Sequence, residues 1–233
     1  MKKEKSNKRS FSTETRCILL LITVTLAAYS NSFSGQFIFD DHKNITENPN
    51  IRSLWPFTHV MLASEIPGVR TRPVVSLSLS FNYALCDLSA RGFHAFNLAI
   101  HLLASLTLYG IIRRTLLSER LWARFGEHAT VLAWLTAAIW AVHPLQTQSV
   151  TYIIQRCESL MGLFYLLTLY SMIRTIQSRW AGWSIVAMLC CGLGMATKEV
   201  MVTAPVVILL YDRTFGAGSL VSALRRRWGF YAG

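Results

Sequence analysis

The sequence predicts an all-α integral membrane protein of about six transmembrane helices with a large first extracytoplasmic loop, and three observations carry that prediction. Apolar residues make up 52% of the 233, and only 15% are charged. Several apolar runs approach the roughly 20 residues a helix needs to cross a bilayer core. The charged minority is biased to Lys and Arg, giving a formal net charge of +11, and the basic residues cluster between the apolar runs. That alternation is a topology signal, which makes nucleic-acid binding the weaker explanation of the basicity.

The first run, Cys17 to about Phe39, follows the basic segment KKEKSNKR (residues 2–9). A cleavable leader would share this pattern of basic flank and apolar stretch, but the minority weight falls on it. Phe93 to Ile112 is the second run and is followed by Arg113 and Arg114. The third, Ala129 to Val142, stops before His143 and Pro144, where proline punctuates a helix. The fourth spans about Leu160 to Ile173, with Arg156 and Glu158 just before it. The last, Trp180 to Tyr211, would measure about 48 Å as one helix against a core of about 30 Å. It therefore divides into two spans, or a span and a short re-entrant piece, with Lys198 and Glu199 at or near the turn.

Six crossings place both termini on one side. Of the 23 Lys and Arg, 16 fall in residues 1–16, 113–124, 174–179 and 213–227, which this arrangement puts on one side with the basic terminal segments 1–16 and 216–233, and the remaining 7 fall opposite. The positive-inside rule then makes the termini cytoplasmic and residues 40–92 extracytoplasmic. Within that loop, IRSLWPFTHVML (51–62) has enough Trp, Phe and Leu to lie in the membrane interface, or to pack on the bundle. No repeat or low-complexity tract is present. The closing RRRWGFYAG looks like the approach to a further span, so a longer protein is expected. The five cysteines show no paired metal-ligand spacing.

Four polar groups converge on the outer half of the predicted bundle. Asp40 and Asp41 follow the first span. His143 to Ser159, with Arg156 and Glu158, joins the third and fourth. Lys198 and Glu199 lie between the fifth and sixth, and His94, Asn97 and His101 share one face of the second by their spacing of three and four. Each has a plain structural account: interhelical hydrogen bonds for the His/Asn face, which is favoured, an interfacial ion pair, or a solvated corner. Their coincidence on one side of the membrane points to a site. Two neighbouring aspartates also repel, which suits a general base or a Mg²⁺ or Mn²⁺ ligand equally.

The motifs FIFDD (37–41), RPVVSLSLSFNYAL (72–85), FHAFNLAIH (93–101), HPLQTQSVTYIIQRCESL (143–160) and MATKEVMVTAPVVILLYD (195–212) resemble the membrane module of the transmembrane and tetratricopeptide-repeat O-mannosyltransferase family. The resemblance covers about Cys17 to Phe215 and implies a C-type lipid-donor glycosyltransferase fold related to the protein O-mannosyltransferases. It also implies transfer of a sugar, commonly mannose, from a polyprenyl-phosphate carrier to a hydroxyl such as a Ser or Thr side chain, with inversion. By the motif, Asp40 or Asp41 is the general base, Arg156 and Lys198 face the donor phosphate, Glu199 orients Lys198, and His143 helps to position the donor. The partners so implied are membrane lipid, the polyprenyl-phosphate donor and a protein or other hydroxyl acceptor. The membrane would be a bacterial inner membrane or the endoplasmic reticulum, with the active face outside.

Two departures stand out. Position 148 is Gln148, where family members usually carry a carboxylate, with Glu158 as a possible substitute; and no tetratricopeptide repeats follow. A catalytically inactive module anchoring a repeat domain is the first rival, supported by Gln148, and a transporter with broken helices is the second. The tripeptide NIT (44–46) is a glycosylation sequon on the predicted outer face.

Overall fold

The computed structural model describes residues 2–62, 72–178, 180 and 182–231, and these are helical with no strand among them. The helices are α1 (Lys2–Ala28), α2 (Phe57–Leu62), α3 (Pro73–Cys86), α4 (Ala90–Leu116), α5 (Trp122–Phe125), α6 (Ala129–Ala141), α7 (Thr147–Thr151), α8 (Arg156–Gln177), α9 (Gly182–Met195), α10 (Ala204–Tyr211) and α11 (Leu220–Tyr231), linked by short 3₁₀ and π turns.

Helix α1 ends at Ala28, well before the expected Phe39, because the next residues supply hydroxyls that bond their own backbone. Ser30 Oγ donates to Ala27 O, Ser32 Oγ to Tyr29 O and Ser34 Oγ to Asn31 O. Such local bonds compete with helix continuation. The remainder of the expected span is not helical: residues 35–38 carry no regular structure and Phe39 is a turn residue.

Three stretches among the described residues are long and apolar enough to cross a membrane: Ala90–Leu116, Ile153–Gln177 and Glu199–Ala217. Trp122–Ala141 and Pro144–Thr151, bent by 54° across Val142 and His143, make a fourth where the pair is counted as one broken span and not as a re-entrant loop. Six is therefore not reached by this measure. Helix α9, with 14 residues, is about 21 Å long, short of a bilayer core of about 30 Å. The long last run does divide as its length demands, with Lys198 and Glu199 in the break.

Small residues set the closest packing. Ala129, Ala133, Ala137 and Ala141 recur every fourth position on α6 and are buried, and three of them meet Cys17 and Leu21 of α1 and Tyr109 of α4. Such a stripe lets backbones approach where lipid gives no hydrophobic drive between helices. Helices α4 and α8 join through Ile100, Ala104, Leu160 and Leu163. The loop after α1 is more ordered than its polarity suggests: Ile51, Val75 and Leu79 share a core with Phe93 and Ile153. The segment 51–62 packs on the bundle through Ile51 and Val60, while Trp55 is 73% exposed and Phe57 faces outward.

Candidate active site

The paired aspartates are delivered by the extended segment that follows α1. Phe39 adopts φ of 46°, a left-handed conformation rare for a bulky side chain, and its own side chain is 81% exposed. Around it Asp41 N donates to Ile38 O (2.9 Å) and His42 N to Phe39 O (3.2 Å), so the chain reverses into the turn His42–Thr46. Strain of this kind persists where surrounding bonds over-determine it.

The reversal separates two adjacent carboxylates. Asp41 is fully buried; its Oδ1 accepts from Ile154 N (2.8 Å) and its Oδ2 from Ile38 N (3.1 Å). Burial pushes its carboxyl up from the usual range, against the two backbone donors and nearby His42, which pull it down. Asp41 thus ties the first loop to the α7–α8 connection. Asp40 is exposed. Its backbone N–H donates to Tyr152 Oη (3.1 Å), and its carbonyl accepts from Asn44 Nδ2 (2.7 Å). Asn44 is itself buried, so the sequon amide holds Asp40 in place and is closed to modification in this conformation.

Beneath the aspartates, Arg156 at the start of α8 is fully buried. Its Nε donates to Asn97 Oδ1 (2.7 Å), Nη1 to Ser78 O (3.2 Å), and Nη2 to Asn82 Oδ1 (2.6 Å) and Phe93 O (3.2 Å). The guanidinium also lies 4.5 Å from the Phe96 ring centroid. This differs from the expected phosphate contact: every nitrogen is engaged and none reaches the surface. Arg156 joins α3, α4 and α8. Asn97 completes the junction by donating to Val150 O and Ile153 O (3.3 and 3.2 Å).

The histidines of α4 are likewise internal. His101 Nε2 bonds to Ala141 O (2.8 Å), which also accepts from Tyr29 Oη (3.2 Å), and the ring stacks on Trp140. His94 is buried against Gly35, where an added Cβ would come within 2.8 Å of its Nε2. Asn97 and His101 therefore make the hydrogen bonds between segments that the plain structural account of this face describes, whereas both ring nitrogens of His94 are buried without a hydrogen-bond partner. His143 is exposed, its Nδ1 accepting from Leu145 N (3.2 Å) to cap the short turn at Pro144.

Lys198, in the break between α9 and α10, pairs with Glu158 one helical position beyond Cys157. Glu199, expected to orient it, is exposed at the start of a 3₁₀ turn, and the orienting carboxylate is Glu158. The physical reason is direction: adjacent residues at an extended-to-helical junction point apart, whereas α8 brings Glu158 across. Glu158 also borders a cavity of about 120 Å³ with His101, Trp140, Gln146 and Ser149. Gln148 is exposed and its backbone carbonyl accepts from Tyr152 N (3.2 Å).

Three residues that carry no assignment in the sequence reading belong to this region. Tyr152 bridges to Asp40, and Asn82 holds Arg156. Arg72, at the N-terminus of α3, has a buried Nε without a hydrogen-bond partner, and both it and Lys198 act electrostatically on the Cys157 thiol. The segment meets the Lys198 turn directly, since Val74 N donates to Ala196 O (3.3 Å). An arginine immediately before a helix-starting proline is a visible signal, but only the fold supplies its neighbour. Among the described residues no group of three His, Cys, Asp or Glu side chains comes together to hold a metal ion.

The family model for dolichyl-phosphate-mannose-protein mannosyltransferase matches residues 70–231. The chain is 29% identical over 202 residues to human "Protein O-mannosyl-transferase TMTC2", covering 80% of this chain and 23% of that protein. It is 28% identical over 212 residues to mouse "Protein O-mannosyl-transferase TMTC1", covering 83% and 21%. It is 25% identical over 203 residues to "Protein O-mannosyl-transferase F38B6.6" of Caenorhabditis elegans, covering 84% and 28%. The chain thus spans about a quarter of the length of these relatives. No solved structure matches. A match over most of the chain, together with the ordered motifs around Asp40, Arg156 and Lys198, places it: the chain belongs to the dolichyl-phosphate-mannose-protein mannosyltransferase family.

Proposed function

We propose that the full protein transfers mannose from a polyprenyl-phosphate donor to a protein Ser or Thr hydroxyl on the extracytoplasmic face, with inversion, and that Asp40 is the general base. The observation that carries this reading is the division of labour between adjacent carboxylates. Asp41 has both oxygens committed to backbone N–H groups, whereas Asp40 is exposed and positioned through Tyr152 and Asn44.

In the reaction the acceptor oxygen attacks the anomeric carbon from the face opposite the phosphate. The new C–O bond forms as the bond from that carbon to the phosphate oxygen breaks. Asp40 takes the hydroxyl proton, and the leaving phosphate gains negative charge. Fixed cations beside that charge lower the barrier. Lys198 is the cation suited to this role, because it is partly exposed and held by Glu158; Arg72 begins the segment that meets the Lys198 turn through Val74 N and Ala196 O and is the second candidate. Arg156 acts one step back, as a positioning residue for the α7–α8 connection that bonds Asp41. His143 and Gln148 remain at the exposed edge, where they can meet donor or acceptor. Exposed Phe39, Trp55 and Phe57 suit the headgroup depth at which a lipid-borne phosphate lies.

The test is transfer of labelled mannose from polyprenyl-phosphate-mannose to a Ser/Thr peptide by the full-length protein and its Asp40→Asn and Asp41→Asn variants. Loss of transfer in Asp40→Asn with an unchanged Tm is the expected result. Full activity in a folded Asp40→Asn protein overturns the assignment. No transfer by the well-folded parent favours the anchoring module instead.

A further inference from the structure

A cavity of about 670 Å³ lies far from the aspartates, between the C-terminal ends of α4 and α8 and the segment joining α10 to α11. Helix α4 enters the Arg156 network at Asn97 and reaches this cavity at Arg114; α8 runs from Arg156 to Gln177. At 1.5 Å per residue the two polar ends are about 25 to 30 Å apart, one bilayer core. The cavity therefore lies at the opposite headgroup level from the proposed active site.

Its chemistry is that of an anion site with an apolar edge. Four arginines line it, Arg113, Arg114, Arg120 and Arg227, with Glu119 the one carboxylate among the lining residues. Two of these cations are already answered, Arg113 by Glu14 (3.0 Å) and Arg227 by two 2.7 Å bonds to Asp212. The other two are not. Arg114 has only neutral partners, Nε donating to Tyr170 Oη (3.3 Å) and Nη1 to Gln177 Oε1 (3.1 Å), which fixes the fork and leaves Nη2 open. Arg120 makes no ion pair among the described residues. Ser118 Oγ, on the same wall, is buried with no hydrogen-bond partner. Ile173, Ile176 and Phe215 supply an apolar side.

We propose that this cavity binds the phosphate-bearing headgroup of an anionic membrane lipid. The unpaired guanidinium donors of Arg114 and Arg120 and the Ser118 hydroxyl meet the phosphate oxygens, and the acyl chains leave along the apolar edge. Arginine suits this because its planar fork matches phosphate geometry. Basic pockets between spans at a membrane surface take such headgroups for the same reason. A soluble anion has no use for the apolar edge, and so the lipid is favoured over free phosphate.

The experiment uses the full-length protein in nanodiscs of phosphatidylcholine with one-fifth phosphatidylglycerol, and counts lipids retained after detergent extraction by native mass spectrometry. The parent should keep phosphatidylglycerol preferentially, and R114Q/R120Q should lower that preference about tenfold. Arg91→Gln, at the other end of α4, should leave it unchanged. Ile176→Trp fills the cavity without removing charge and should also lower retention, which keeps the test decisive where the double variant fails to fold. Equal retention of both lipids by the parent, or an unaltered preference in the variants, overturns the proposal. Displacement of the retained lipid by millimolar inorganic phosphate would assign the cavity to a free anion and overturn the lipid source.

Discussion

The polar residues beneath the α4–α8 junction and those at its rim have similar composition but opposite states. Below, Arg156, Asn97, Asn82, His101 and Asp41 are buried and every one is bonded to a neighbouring segment. At the rim, Asp40, Lys198, Glu158 and His143 keep access to solvent. The difference teaches that depth separates architecture from chemistry here. A charge withdrawn from water must spend its donors and acceptors on the protein, and is then no longer available to a substrate.

Changes at the two levels should therefore fail in different ways, and the largest break is expected at the bottom. Arg156→Met strands two amide oxygens and two carbonyls, so a loss of about 3 to 6 kcal/mol is expected, measured as a collapse of Tm in detergent. An unchanged Tm would remove the architectural role. Next comes the rim: Asp40→Asn should cut mannosyl transfer by about 10²- to 10⁴-fold while leaving Tm in place. Lys198→Met should reduce transfer about a hundredfold through kcat, whereas Glu199→Gln should change little, because Glu158 and not Glu199 holds the lysine. Equal effects of the two would restore Glu199 to the site.

Asp41 sharpens the comparison from within one dipeptide. In Asp41→Asn an amide NH₂ must face one of the two backbone donors, at a cost of about 1 to 3 kcal/mol. Its pH dependence has a definite sign. Burial raises the folded pKa, so the stability that Asp41 contributes is fully present below the ordinary 3.8 and is lost as pH rises through the raised value. Tm measured against pH should fall across that window in the parent and run flatter in Asp41→Asn. The smallest effect is steric. Gly35→Ala puts a Cβ 2.8 Å from His94 Nε2 and should cost about 1 to 2 kcal/mol unless the ring swings away.

Much of the helical layout was legible because bilayer thickness makes length and hydropathy decisive. The run from Trp180 is too long for one span, and the chain breaks at Lys198. The end of α1 was less legible: Phe33, Phe37, Ile38 and Phe39 carry the apparent run past Tyr29, but the hydroxyls of Ser30, Ser32 and Ser34 turn inward on their own backbone. The candidate site was legible as a set of residues and not as a set of roles. Glu199 adjoins Lys198 in the sequence and Glu158 lies 40 residues away, and only the packing of α8 decides which one meets it.

By itself, the sequence determined the helical class, the polar positions and the face on which His94, Asn97 and His101 lie, since each follows from local periodicity and the membrane's thickness. Only the tertiary structure decided which aspartate is free. Asp41 finds Ile154 N at a separation of 113 residues, and Asp40 finds Tyr152 at 112. Burial and hydrogen bonding are properties of segments brought together from far along the chain, and two identical neighbouring side chains acquire different chemistry only when those segments meet.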